Sequence, residues 1–297
     1  MNGIILVDKP SGITSFGVVA RMRKILNMKK VGHAGTLDPD ATGVLPILVG
    51  SATRFLDYLP CADKSYDAVV KLGFETDTLD TTGKILSEKE VTCTEEDVRD
   101  VLESFKGRQM QLPPMFSAVS KDGVRLYDLA RKGESVERQA REIEIYSIGM
   151  FEWDGRNKEF CMSVSCSKGT YIRQLAADIG EKLGCGACLA GLRRTMSSGY
   201  KLGSCYTLEE LEEYSKQSQL EKRLIPIEDA LSFYPPVCVS KAQAVRFSNG
   251  GELNLDRLKG RLCDGIYRVF GEDDRFLGLG QAIECDGVLK VLKVYVE

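Results

Sequence analysis

The segment Gly32-His-Ala-Gly-Thr-Leu-Asp-Pro39, continued by Asp-Ala-Thr-Gly43, predicts a long ordered loop. A loop of this length inside a compact domain is more often functional than idle. Pro39 fixes its own φ and restricts Asp38 to extended conformations, so the Asp38 carboxylate is held on a stiff support. The pair Asp38-Pro39 is also typical of the start of a simple turn, and spacing alone leaves that interpretation open.

The flanking residues predict regular structure on both sides of this loop. Gly3–Asp8 and Val44–Val49 are expected to be strands, the second of them buried. Ser15 is a candidate N-cap for a helix between them. The apolar residues that share one face of this helix are Val18, Val19, Met22, Ile25 and Leu26.

Strand and helix patterns then alternate as far as residue 232 without a regular strand–helix–strand repeat. Strands are predicted over 65–72, 141–152, 159–166 and 187–195. Helices are predicted over 52–59, 94–105, 124–132 and 170–183, and from 207 onward; Thr94 with Asp97 and Thr207 with Glu210 have the spacing of capping boxes. This order predicts an α+β fold with a mixed, largely antiparallel sheet flanked by helices.

The pattern changes near Phe233-Tyr-Pro-Pro236. A short helix over 241–247, a Gly-Gly turn and three strand-like runs over 265–270, 275–284 and 288–296 follow. We therefore predict two domains, 1–232 and 233–297. The second is a small β-rich domain near the lower size limit for independent folding.

Charge is unevenly distributed along a chain whose net charge is −3. Residues 21–30 hold Arg21, Arg23, Lys24, Lys29 and Lys30 and no acid, and a second acid-free stretch holds Arg193, Arg194 and Lys201. Acids concentrate at 95–97 and 209–213. The balance is not that of a protein that coats nucleic acid without selectivity, but local basic stretches fit an enzyme acting on structured RNA. Solvated helix faces are the alternative.

The sequence also allows predictions of cellular location and of metal binding. No apolar run approaches the roughly 20 residues that span a bilayer, and the N-terminus lacks the features of a signal peptide. We expect no membrane association and a cytoplasmic location, where the ten cysteines would stay reduced. Cys185-Gly-Ala-Cys188 has the spacing of half a metal site, but zinc needs about four ligands. With no second such pair, no metal is expected.

A second unusual segment is Cys166-Ser-Lys-Gly-Thr-Tyr-Ile-Arg173. Thr170 is predicted to cap a helix, which places Tyr171 and Arg173 in its first turn. The helix dipole disfavours an arginine there, and a carboxylate partner would offset the cost. An Asp38–Arg173 pair would hold the acid ionised and oriented. A plain surface arginine is the alternative.

Two further residues have both a structural and a functional interpretation. His33 is the only histidine; it cannot build a histidine-rich metal site but could contact a base or a phosphate. Tyr66 is either an ordinary strand residue or a platform on which an extruded base stacks. The sequence has no Gly-x-Ser-x-Gly elbow, no Walker A loop and no Gly-x-Gly-x-x-Gly fingerprint, so a hydrolase triad and a nucleotide cofactor lack their usual motifs.

Seven separated blocks, in the same order, resemble the TruB family of tRNA pseudouridine synthases over residues 3 to about 230. The blocks are 8–15 and 32–46; Lys64-Ser-Tyr-Asp67; 73–78 with Asp80 and Gly83; 113–118 with Lys121; 167–173; and Leu192-Arg-Arg-Thr195. The residues after about 235 resemble, less specifically, the PUA-like RNA-binding domain of such enzymes. Cys188 departs from the family, which usually has His or Tyr there.

The resemblance implies the pseudouridine synthase fold, tRNA as partner, and neither a metal nor an organic cofactor. It implies that Asp38 is the nucleophile acting on uridine 55 of the T-loop and that Arg173 pairs with it. Further roles are implied in or near the substrate pocket: Tyr66 stacks on the flipped uracil, Tyr171 lines the pocket, Leu192 forms its apolar wall, His33 contacts the T-loop, and Lys9 and Lys64 support the loop or the RNA backbone.

Four functions fit parts of this pattern. A stand-alone tRNA uridine isomerase, expected to be a monomer without a guide RNA, fits best. A non-catalytic tRNA-binding protein would have lost Asp38 or its partner. A guide-RNA-dependent enzyme for ribosomal RNA usually carries basic tails that this chain lacks, and a Ser-His-Asp hydrolase would need a nucleophile elbow.

Overall fold

The computed structural model describes residues 1–59, 63–116, 120–121, 124–125 and 136–296, and no side chain from 117 to 135. The strands of the larger domain are β1 Gly3–Lys9, β2 Val31–His33, β3 Thr42–Val49, β4 Lys64–Leu72, β5 Phe74–Thr76, β6 Ile85–Glu88, β7 Gly107–Gln111, β8 Ser120–Lys121, β9 Val124–Arg125, β10 Arg141–Asp154, β11 Glu159–Cys166, β12 Ala187–Ser197 and β13 Tyr200–Lys201. Its helices are α1 Ser15–Ile25, α2 Glu95–Glu103, α3 Ile172–Lys182, α4 Leu208–Lys216 and α5 Ile227–Ala230.

A single sheet organises this domain. Within the described ranges its main path runs β1-β3-β12-β4-β11-β10-β7, with β2 paired to β3 and β13 paired to β12. Only the short β12–β3 contact is parallel among these pairs, and it places β3, which follows the 34–41 loop, beside β12. The predicted α+β class with a mixed, largely antiparallel sheet is confirmed.

Helices cover one face of the sheet because buried and partly exposed residues alternate along its strands. Along β4 the buried positions are Tyr66, Ala68, Val70 and Leu72, and the residues between them are partly exposed. This buried face packs on α2 and α3. Helices α1 and α4 pack on the apolar residues of β1 and β3 in a second cluster. The active-site candidates therefore lie where β3, β4 and β12 meet α3.

Two helices begin at a different cap from the one that the sequence predicted, and two begin as predicted. Thr14, not Ser15, caps α1 and accepts a hydrogen bond of 2.9 Å from the Gly17 N–H. Tyr171 is the N-cap of α3, while the Thr170 hydroxyl donates to the Ser167 carbonyl. The predicted capping boxes at Thr94 and at Thr207 are both present.

Two other predicted helices differ from the structure. The short helix near 52–59 is a 3₁₀ helix over Gly50–Tyr58. The start of the predicted 124–132 helix is instead the strand β9, which pairs with β8. The remainder of that prediction lies outside the described residues.

The C-terminal residues form a second, five-stranded sheet in the described part of the chain. Its strands are β14 Pro236–Val239, β15 Leu253–Asn254, β16 Gly265–Gly271, β17 Phe276–Ile283 and β18 Val288–Val294, and its helix is α6 Lys241–Ser248. The strand order is β14-β16-β17-β18-β15. A small C-terminal β domain was predicted, and the fold confirms it. The exact boundary at 232/233 stays a prediction.

This small domain shares a core with the larger one. Phe55 is fully buried, and its ring centroid lies 5.9 Å from that of Phe276 and 6.4 Å from that of Tyr295. The Ser51 hydroxyl donates to the Val296 carbonyl. Since Phe55 and Ser51 belong to the 3₁₀ helix that directly follows β3, the C-terminal domain packs against the segment that continues from the active-site loop.

Replacing Phe55 by alanine should destabilise the protein by about 3–5 kcal/mol, because the change leaves a cavity in the shared core. Chemical unfolding followed by tryptophan fluorescence measures the difference. Phe233→Ala is the matched control: Phe233 is 76% exposed, and its removal should cost less than about 1 kcal/mol. Equal losses for the two variants would contradict the shared core.

Candidate active site

Buried polar side chains hold the loop that carries Asp38. The Ser15 hydroxyl donates to the Leu37 carbonyl (3.0 Å) and accepts from the Leu37 N–H (2.8 Å). The ammonium of Lys9 donates to the Pro39 carbonyl at 2.7 Å, and the Gly12 N–H donates to the same oxygen at 3.0 Å. The backbone on both sides of Asp38 is therefore fixed by partners outside the loop.

Asp38 and Arg173 form the ion pair that the sequence predicted. Arg173 Nε lies 3.0 Å from Asp38 Oδ2, and Nη2 lies 3.4 Å from Oδ1. The guanidinium also donates to the Thr78 carbonyl (3.1 Å) and the Phe116 carbonyl (2.8 Å). Arg173 is 8% exposed, whereas the Asp38 side chain keeps 47% of its surface accessible. A fixed cation thus orients a carboxylate that a substrate can reach.

Two opposing effects act on the pKa of Asp38. Desolvation by the surrounding protein is the larger and raises the pKa above its ordinary value, although nearly half of the side chain stays accessible. The Arg173 guanidinium lowers the pKa, in the direction expected from the sequence. Asp80 raises the pKa further by like-charge repulsion, and Lys9 lowers it. A carboxylate with a raised pKa is a stronger base than a solvated one.

Asp80 is a site residue that the sequence reasoning did not single out. Its Oδ2 lies 3.7 Å from Arg173 Nη1, while its Oδ1 accepts from the Thr78 hydroxyl (2.7 Å) and the Thr82 N–H (3.0 Å). Arg173 is consequently shared by two acids on different segments. Asp80 belongs to the segment 73–83 that resembles the TruB family, and this resemblance was its indication in the sequence.

Tyr66 lies close to the loop but is largely buried, with 6% of its surface exposed. It stands opposite Arg194 in the β4–β12 register, and the two buried side chains are neighbours on the same face of the sheet. Burial raises the pKa of Tyr66 to about 12, so the phenol stays protonated at neutral pH. The stacking role inferred for Tyr66 remains a proposal.

His33 and Lys64 are grouped around Arg194 rather than around Asp38. The His33 ring ends β2, and its Nδ1 is buried without a hydrogen-bond partner among the described residues. Burial and the Arg194 charge lower the pKa of His33, which favours the neutral ring. The same two causes, in the same order, lower the pKa of Lys64 at the start of β4.

Tyr171 and Leu192 form other parts of the surroundings. The side-chain amide of Gln111 fixes the Tyr171 backbone: Oε1 accepts from the Tyr171 N–H (2.8 Å) and Nε2 donates to its carbonyl (3.1 Å). Leu192 is half-buried in β12 against the cluster that contains Tyr66. Leu192 also borders a groove of about 300 Å³ next to the loop. Others that line this groove are Asp40, Thr42, Asp67, Phe151 and Arg193.

The arrangement suits covalent or base chemistry by one carboxylate. Asp38 is oriented, reachable and backed by apolar side chains such as Leu37 and Tyr66.

Among the residues the structure describes, no cluster of His, Cys, Asp or Glu could hold a metal ion. Cys185 and Cys188 are both buried thiols. In the same ranges, no helix is long and apolar enough to span a membrane.

Lys9 generates a prediction about pH. Burial lowers the pKa of Lys9 to about 8, against an ordinary value of 10.5. Between these pH values the unfolded chain binds more protons than the native one, so wild-type stability should rise with pH relative to Lys9→Met. Urea unfolding at about pH 7.5 and about pH 10 measures this. Lys259→Met, at an exposed lysine, is the control. A Lys9→Met difference independent of pH would refute the assignment.

Three family models together match nearly the whole chain. The TruB family pseudouridylate synthase N-terminal domain matches residues 23–172. The tRNA pseudouridylate synthase B C-terminal domain matches residues 173–232. The model for the C-terminus of pseudouridine synthase II TruB matches residues 235–294.

Curated relatives and solved structures agree with these matches. The tRNA pseudouridine synthase B of Clostridium tetani is 43% identical over the full length of both chains. That of Pseudomonas fluorescens is 42% identical and covers 96% of this chain and 92% of its own. The crystal structure of a Cbf5-Nop10-Gar1 complex holds a chain 28% identical, with a TM-score of 0.74, coverage of 99% of this chain and 85% of that one. With Asp38 and Arg173 paired on the fold described above, the chain belongs to the TruB family of pseudouridylate synthases, which are isomerases.

Proposed function

We propose that this chain converts uridine to pseudouridine at position 55 in the T-loop of tRNA, with Asp38 as the nucleophile on a flipped-out uridine. The observation that best supports this proposal is the ion pair between Asp38 and Arg173, with 3.0 Å between Oδ2 and Nε, on a loop fixed by buried side chains. Curated relatives that align over the whole chain are named as tRNA pseudouridine synthases, which supports tRNA as the substrate. We place the reaction in the cytoplasm.

The chemistry needs no added atoms. The bond between N1 and C1′ of the uridine breaks and its electron pair stays with the uracil. The base rotates, C5 bonds to C1′, and the proton on C5 is lost while N1 gains one. A single oriented carboxylate can bond to C1′, stabilise positive charge there or take a proton from C2′. Burial, which raises the pKa of Asp38, strengthens it for each of these roles.

Extruding the target base costs a few kcal/mol, which the pocket must offset. We assign the stacking surface to Tyr66, pocket lining to Tyr171 and the apolar wall to Leu192. His33 is assigned to the displaced T-loop. The lowered pKa of His33 supports this, because a neutral imidazole is desolvated and stacks more easily than a charged one.

Lys9 and Lys64 divide the supporting roles between them. Lys9 is fully buried and bonded to the Pro39 carbonyl, so we assign it to support of the loop. Lys64 is half-buried beside Gly35, whose hypothetical Cβ would lie 3.6 Å from Lys64 Cε. We assign Lys64 to the base of the same loop, facing the RNA.

Basic residues that could meet the RNA backbone are fewer than the sequence suggested. Arg21 is paired with Glu209 (3.0 Å) and Glu212 (2.8 Å), so α4 neutralises part of the α1 charge. Arg193 pairs with Asp8 at 2.7 Å. The exposed cations left in this region are Lys24, in the last turn of α1, and Lys29 and Lys30, which follow the helix. We propose these three lysines, together with the PUA-like domain, as phosphate contacts.

A guide-RNA-dependent reaction is the competing function. Solved structures similar to this chain include an H/ACA ribonucleoprotein bound to a substrate RNA, at 26% identity. The tRNA enzymes are much more similar, at 42–43% identity over 96–100% of this chain. We therefore propose that this chain needs no guide RNA, which a reaction containing only protein and tRNA tests directly. We expect it to act as a monomer.

Asp38→Asn should abolish the reaction, with kcat lowered by more than about a thousandfold, because the amide neither attacks nor takes a proton. Pseudouridine is measured in an unmodified tRNA transcript incubated with the pure protein. Asp57→Asn, at an exposed aspartate, is the control and should stay fully active. Full activity of Asp38→Asn, or no product from wild type, would sink the proposal.

Tyr66→Ala should lower kcat more than it weakens tRNA binding, because the ring holds only the flipped base whereas the RNA backbone is held elsewhere. Single-turnover rates and filter-binding affinities of the same preparation give the two values. Equal losses in rate and affinity would remove the stacking role from Tyr66.

A further inference from the structure

We propose that Arg194 is a positioning residue for this reaction: one buried guanidinium couples the loop that carries Asp38 to the hydroxyl of Tyr66. The inference rests on the function proposed above. It assigns Arg194 a part in the chemistry, although the side chain is fully buried and does not contact Asp38 in the described contacts.

The guanidinium donates hydrogen bonds to the backbone at both ends of the loop. Its Nε donates to the Val44 carbonyl at 2.7 Å, just after the loop. Its Nη2 donates to the Gly35 carbonyl at 3.1 Å and Nη1 to the Thr36 carbonyl at 3.4 Å, two to three residues before Asp38. A planar group with five donors in fixed directions can do this, whereas a lysine ammonium offers a single point of contact.

The loop backbone is shaped around Arg194. Gly43 has φ +101°, and a Cβ there would lie 2.2 Å from the Arg194 carbonyl oxygen. Gly35 has φ +92°, and its hypothetical Cβ would lie 3.5 Å from Arg194 Nη1. Both glycines adopt a conformation that other residues rarely take. The two ends of the loop thus approach the backbone and the side chain of the same arginine.

The same guanidinium reaches the residue assigned to the base. Arg194 and Tyr66 are cross-strand partners, so their two buried side chains are neighbours on one face of the sheet. The nearby positive charge makes the Tyr66 hydroxyl a stronger hydrogen-bond donor toward a third group. The residue that fixes the loop therefore also polarises the Tyr66 hydroxyl.

The charge of Arg194 supports a role beyond packing. Among the described residues, no carboxylate lies within ion-pairing distance of it. A buried cation without a counter-ion is costly, and backbone carbonyls offset only part of that cost. When the N1–C1′ bond breaks, the uracil receives the electron pair. A fixed positive charge behind the Tyr66 hydroxyl stabilises that negative charge as it develops.

A double-mutant cycle tests the coupling. Wild type, Arg194→Lys, Tyr66→Phe and the double variant are compared by single-turnover pseudouridine formation, tRNA affinity and Tm. Each single variant should lower the rate by about tenfold or more, with tRNA affinity within about threefold of wild type. The double variant should lose much less than the product of the two single losses, because both break one connection.

Arg268→Lys is the matched control. Arg268 also donates to two backbone carbonyls, those of Tyr234 (2.8 Å) and Glu228 (3.0 Å), but at the domain junction. Its replacement should lower Tm and leave the rate unchanged. If Arg194→Lys behaves like this control, with a lower Tm and an unchanged rate, Arg194 is structural and the inference is wrong.

The remaining outcomes are also decisive. Losses that multiply in the double variant would overturn the coupling to Tyr66. If Arg194→Lys does not fold, Tyr66→Phe alone decides: the proposal requires it to lower the rate while tRNA affinity stays within about threefold of wild type, and an unchanged rate overturns the proposal. An inactive wild type would instead refute the proposed function.

Discussion

The hydrogen bonds from buried side chains to the backbone of residues 35–44 are the constraint on which the rest of the site depends. Ser15 binds Leu37, Lys9 binds Pro39, and Arg194 binds both ends of the segment. Each of these donors comes from a different element of the fold. The position of Asp38 is therefore a property of the assembled sheet and helices and not of the local sequence around it.

Burying these groups has an energetic cost that the site also uses. Desolvation lowers the pKa of Lys9 and of Arg194 and raises that of Asp38. The same low dielectric that penalises each charge strengthens the attraction between Asp38 and Arg173. A solvated site would cost less free energy to fold, but its carboxylate would be a weaker base and less firmly oriented.

Local patterns in the sequence predicted most of the fold. Alternation identified β4 through Tyr66, Ala68 and Val70, and the capping boxes at Thr94 and Thr207 marked two helices. The order of elements gave the correct class. Local rules could not choose between Thr14 and Ser15 as the cap of α1, because the choice depends on Leu37, which binds Ser15 from outside the helix.

The site was predictable in part for a similar reason. Asp38, Arg173 and their pairing followed from motif and dipole arguments. The contacts of Asp80 with Arg173 and of Arg194 with the loop span 93 and 150 to 159 residues, which local spacing does not reveal. The rise that desolvation causes in the pKa of Asp38 was not predicted, because burial is a tertiary quantity.

The shared core around Phe55 has a consequence for how a substrate is chosen. Residues 50–58 connect the end of β3 to Phe276 and Tyr295, so one apolar core joins the segment after the Asp38 loop to the C-terminal sheet. For the proposed tRNA substrate, touching both surfaces requires a folded shape that matches the spacing between them. An RNA of other dimensions reaches one of the two surfaces without the other.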